Sequence, residues 1–88
     1  MAENCPVDVI SVCSAEGEIR PLRLQMKDEQ QQLLRIKIDE ILSVREIPYT
    51  GVEGPVFLCR ATVWEREWVF ELKYTIRSHS WCLLRKVN

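Results

Sequence analysis

Glycine is scarce in this 88-residue chain: there are three, with four prolines. So few breakers argue against disorder away from the ends. No run approaches the ~18 apolar residues of a membrane-crossing helix. The opening residues, Met1-Ala2-Glu3-Asn4-Cys5-Pro6, lack the basic stretch and long apolar run of a secretory leader. The chain therefore reads as cytoplasmic, with no membrane partner. The four cysteines, Cys5, Cys13, Cys59 and Cys82, form no C-x-x-C pair. His79 is the only histidine, and His79-x-x-Cys82 lacks the second, paired half of a zinc site. No glycine-rich phosphate loop is present; Gly51-Val52-Glu53-Gly54 lies between prolines and opens no helix. Repeats and low-complexity tracts are also missing. A surplus of charge is lacking too, with 12 Lys and Arg against 13 Asp and Glu. That balance disfavours a protein that grips nucleic acid mainly by neutralising phosphates.

What is present is a strand pattern. In Trp68-Val69-Phe70-Glu71-Leu72-Lys73-Tyr74-Thr75-Ile76, large apolar residues alternate with smaller or charged ones. A period of two marks a strand with one face in a core and one in water. Trp68, Phe70, Leu72, Tyr74 and Ile76 are accordingly the expected core face, each aromatic burying about 150–250 Å². Flanking strands are predicted at Val56–Trp64, with a turn at Glu65-Arg66, and at Trp81–Leu84, after a turn at Arg77–Ser80. Towards the start, Val7–Cys13 is β-branched and apolar, and Ser14–Glu18 is a turn in which Gly17 supplies positive φ. Ile19–Met26 follows, with Leu22, Leu24 and Met26 on one face. Pro21 cannot donate to a ladder, so it is expected to start that strand or to lie on an edge.

The segment after Gln30 carries two periodicities. Leu34, Ile36 and Ile38 alternate with Arg35, Lys37 and Asp39, as in a strand. Leu34, Ile38, Ile41 and Leu42 also fall at helical spacing. The preferred assignment is a strand at Leu33–Ile38 and a second near Leu42–Ile47; the alternative is one helix near 29–44 in an α+β fold. The fold class expected is all-β: a single domain over 1–88, an antiparallel meander of six or seven strands forming a closed or nearly closed barrel. The run Phe70-Glu71-Leu72-Lys73-Tyr74, with Trp81-x-Leu83 closing the chain, resembles a group of short uncharacterised bacterial proteins over the last third of the sequence. The resemblance implies an all-β fold and brings no activity with it.

Two features point outward. Trp64 ends its strand beside charged residues, and Tyr49 sits in the loop Pro48–Pro55; these aromatics are the ones expected to touch a partner. Arg23, Arg35 and Lys37 project from the face opposite Leu24, Ile36 and Ile38, and would form a basic patch if their strands were neighbours. Carboxylates lie among them, at Asp28, Glu29, Asp39 and Glu40. No catalytic, cofactor-binding or metal-binding set is discernible, and His79 has no nucleophile or second base placed beside it by the sequence. The expectation is a non-enzymatic module that binds another protein or itself, as a homodimer formed through an edge strand or the Trp64 region. The alternative is a nucleic-acid-binding barrel of SH3-like or OB-like kind that uses Arg23, Arg35 and Lys37.

Overall fold

A computed structural model describes residues 4–46 and 54–88. Six strands, β1 (Cys5–Cys13), β2 (Ile19–Lys27), β3 (Leu33–Glu46), β4 (Pro55–Val63), β5 (Arg66–Thr75) and β6 (Ser80–Lys86), run in chain order. Each is antiparallel to its neighbours, and β1 meets β6 to close the barrel. No helix occurs among the described residues. The strand assignment over 33–38 holds because alternation puts both Leu34 and Ile36 inside, at 7% and 3% exposure. A helix would have set Ile36 off the Leu34–Ile38–Ile41 stripe and into water.

Several sequence expectations change in detail. The two strands predicted at 33–38 and near 42–47 are one 14-residue strand. Its first part pairs with β2 and its second with β4. The register slips past Asp39 and again past Leu42, and these bulges bend one strand around the barrel corner. Ile47 lies outside the described residues. Leu22 does not share a face with Leu24: Ser11 pairs with Pro21 and Ile10 with Arg23, so Leu22 is the bulged residue and turns outward. Pro21 does not start β2; it lies, as the alternative expectation had it, on an edge stretch that pairs with β1 alone. It is buried beside this register break, where a ladder tolerates a missing donor. The β4–β5 turn falls one residue earlier than expected, at Trp64-Glu65, because Val63 pairs directly with Arg66.

The core is drawn from every strand except β1, whose Cys5, Val7 and Val9 pack against it half-buried. Cys59, Ala61 and Leu72 are at 0% exposure, and Phe70 is at 1%. Of the expected β5 face, Phe70 and Leu72 are fully inside and Trp68 and Tyr74 are half-buried. Ile76 is exposed, since it lies past the end of β5. Trp81 is the buried tryptophan, 5.7 Å from the ring of Phe57 and 5.0 Å from that of Tyr74. Gly54 packs so closely on β5 that a Cβ there would run into the carbonyl oxygen of Tyr74.

Antiparallel order gathers the start of β1 and β6's last residues at one end, with the β2–β3 and β4–β5 turns. This is the tryptophan end. The β1–β2 and β5–β6 turns lie at the other, the hairpin end. Ser14 Oγ accepts hydrogen bonds from the N–H groups of Glu16 and Glu18 in the first of these turns. Asp28 Oδ1 accepts from Gln30 and Gln32 at the tryptophan end. Both are side-chain mimics of a backbone turn.

Candidate functional site

At the tryptophan end, Cys5, Met26, Leu34, Trp64, Trp68 and Lys86 line a depression rimmed by the polar β2–β3 turn. Met26 and Leu34 are cross-strand partners, so one rung of the β2–β3 ladder forms its floor. Lys86 lays its ammonium 4.9 Å from the ring centroid of Trp68, a cation–π contact that fixes one wall. The other wall is Trp64, at 74% exposure. Its backbone is as unusual as its exposure. Trp64 and Glu65 take φ of 50° and 64° at the centre of a two-residue hairpin turn. Positive φ at both positions defines a type I′ turn, which is preferred by Asn-Gly because a Cβ is strained there. A tryptophan in that position works against the turn's own preference.

The basic residues predicted to face outward are brought together. Arg23 is directly opposite Lys37, and Arg35 is two rungs further along, on the same face, opposite Gln25. Arg35 Nε donates to Gln25 Oε1 at 3.4 Å. These three basic residues line a second depression, which Asp8 and Ile10 of β1 border. Neither Trp64 nor Trp68 lines it, so the basic trio and the exposed aromatic occupy different surfaces. Tyr49 lies outside the described residues.

Other candidate chemistry is placed as follows. His79 is in the β5–β6 turn at φ 54°, and its Nδ1 shares a 3.0 Å hydrogen bond with the Tyr74 hydroxyl. All four cysteines are free thiols. Burial pushes the Cys59 thiol up to about 12 and also raises that of Cys82. No group of three or more His, Cys, Asp or Glu among the described residues is arranged to hold a metal ion. Glu71, the one buried charged side chain among the described residues, is on the outer face of β5 between two guanidiniums. Arg85 Nε is 2.8 Å away and Arg45 Nη2 is 3.3 Å away. The hydrogen bond from Arg85, and then that from Arg45, hold its carboxyl below the usual carboxylate range despite its burial. This is a clasp across β3, β5 and β6.

Sequence reasoning placed Trp68 wholly in the core and missed the wall it forms with Lys86. Lys86 follows the last predicted strand, and no local pattern ties it to a residue eighteen positions earlier. The chain matches no family model, no curated protein and no solved structure.

Proposed function

We propose that this domain is a non-enzymatic protein-interaction module that contacts its partner through the tryptophan end, with Trp64 as the anchor. The observation that carries the reading is the conformation of Trp64. A bulky side chain held in the left-handed region costs about 1–3 kcal/mol, and here it presents an indole almost entirely to solvent. Strain of that kind is kept where it serves a contact. Tryptophan is also the side chain most enriched among residues that dominate binding energy, and Met26 and Leu34 beside it give an apolar floor for a partner side chain. The test is affinity capture with the tagged full chain from its own cell extract, with and without nuclease, beside Trp64→Ala. A stoichiometric protein that survives nuclease and is lost with Trp64→Ala is the expected result. A partner retained equally by Trp64→Ala would overturn the reading.

A second reading has one observation behind it: Arg23, Lys37 and Arg35 share one outer face. On that reading the face binds nucleic acid, and oligonucleotide binding weakens steeply with salt. The separation of this face from Trp64 and Trp68 and the near-zero net charge place it second.

A further inference from the structure

Barrel closure removes edges only where both neighbours are present. β1 pairs with β2 from Asp8 to Cys13, but with β6 only at Cys5, Pro6 and Val7. The reason is length: Val7 pairs with Trp81, and β6 begins one residue earlier, at Ser80. Beyond that rung β1 continues with β2 as its one partner strand among the described residues. Among the described residues, no strand pairs with Asp8–Cys13 on the β6 side.

Other described stretches with a strand on one side only are blunted: Cys5–Val7 of β1 pairs with β6 alone and contains Pro6, and Ile38–Glu46 of β3 pairs with β4 alone and contains bulges at Asp39 and Leu42 and the charges of Glu40, Arg45 and Glu46. Ile19–Leu22 of β2 pairs with β1 alone and contains Arg20, Pro21 and a bulge at Leu22. Leu33–Lys37 of β3 pairs with β2 alone and contains Arg35 and Lys37. The first residues of β5 are covered by the end of the chain: Val87 N–H donates to the Val69 carbonyl, and Asn88 bonds both Val69 and Glu67. Basic residues, proline, bulges and covering segments are the known means of preventing edge pairing. Val9-Ile10-Ser11-Val12-Cys13 has none of these. It holds no charge, no proline and no bulged residue of its own, and its outward side chains Ile10 and Val12 are 63% and 40% exposed.

We propose that this edge is the self-association site of the protein, occupied by β1 of a second copy in antiparallel, two-fold register. The chemistry of the segment selects a second copy. An antiparallel pair of Val9–Cys13 segments sets aliphatic residues against aliphatic residues and brings no charge into the ladder. The one charge at its root, Asp8, meets no second Asp8, because the antiparallel arrangement puts the two at opposite ends. Arg20 and Arg23 belong to β2, and three strand spacings of about 4.8 Å would separate the two copies of that strand. That distance, about 14 Å, exceeds the screening length of about 8 Å at physiological salt. The two-fold pair would continue the sheet of one barrel into the next and leave both tryptophan ends free. It does not depend on the role given to Trp64.

Sedimentation equilibrium of the full chain from low micromolar to millimolar concentration tests this, with Ile10→Lys/Val12→Lys and Trp64→Ala alongside. Ile10 and Val12 point outward and are exposed, so the double variant should keep the wild-type circular dichroism. The expected result is a wild-type dimer, a monomeric Ile10→Lys/Val12→Lys and a dimeric Trp64→Ala. In the wild type, protection of the Val9–Cys13 amides from hydrogen exchange should rise with concentration. A wild type that stays monomeric throughout overturns the proposal. So does a dimer that survives the lysines, and so does one lost with Trp64→Ala instead. An unfolded double variant would move the decision to the exchange experiment, where concentration-independent protection at Val9–Cys13 overturns it equally.

Discussion

At the tryptophan end β1 pairs with β6 and closes the barrel, while towards the hairpin end, among the described residues, it pairs with β2 alone. The same strand thus passes from a closed barrel to an open ribbon within its own length. In the first region Cys5 and Val7 pack half-buried against the core; the second packs Val9 in the same way but exposes Ile10 and Val12. The difference teaches that closure is a property of individual rungs. Six strands in unbroken antiparallel order are compatible with a stretch of unguarded backbone when neighbouring strands differ in length and offset.

The sharpest test of whether the two regions share one fate is the core between them. Leu72→Ala should destabilise the protein by about 2–5 kcal/mol, since Leu72 is fully buried at mid-barrel. Urea unfolding followed by tryptophan fluorescence and by circular dichroism should give coincident curves. Separate midpoints would mean that the hairpin end melts as its own unit. Next in size is Gly54→Ala, which acts at the hairpin end alone: its Cβ meets the Tyr74 carbonyl, at an expected cost of about 1–3 kcal/mol by overpacking. A melting temperature equal to wild type would show that this end gives way freely.

Glu71→Gln should cost less, about 1–2 kcal/mol near neutral pH after allowing for the exposure of both arginines. Its pH dependence is the more telling observation. The folded-state pKa of Glu71 is depressed, so its stabilising contribution is complete above the unfolded value of about 4.3 and is lost as pH falls through the lower folded value. Below about pH 4.3 the wild type should therefore lose stability more steeply than Glu71→Gln; parallel acid profiles would show that the clasp contributes nothing. The smallest effect runs in the opposite direction and belongs to the tryptophan end. Trp64→Asn/Glu65→Gly restores the preferred type I′ pair and should raise stability by about 1 kcal/mol while abolishing partner capture. A loss of stability would mean that Trp64 holds the barrel together.

Much of the fold is legible in the sequence because alternation is a local signal. Leu34-Arg35-Ile36-Lys37 and Trp68 to Tyr74 announce their faces without help from distant residues, and the juxtaposition of Arg23, Arg35 and Lys37 follows once β2 and β3 pair. What stays hidden is a matter of register. The extra residues at Leu22, Asp39 and Leu42 look like any others until the opposite strand is in place. The position of the β4–β5 turn is hidden for a different reason: Trp-Glu carries none of the Asn-Gly chemistry that advertises a type I′ turn. The unguarded part of β1 is hidden most deeply, because it depends on where β6 begins, more than sixty residues along the chain.

The cysteines give the molecule two chemical clocks. Cys13 stands exposed at the far end of β1, whereas Cys59 is sealed in the core with its thiol raised to about 12. A thiol-specific reagent in the native protein meets the first directly and reaches the second only when the barrel opens. The ratio of the two labelling rates reports the opening equilibrium against an internal standard, on the unaltered chain.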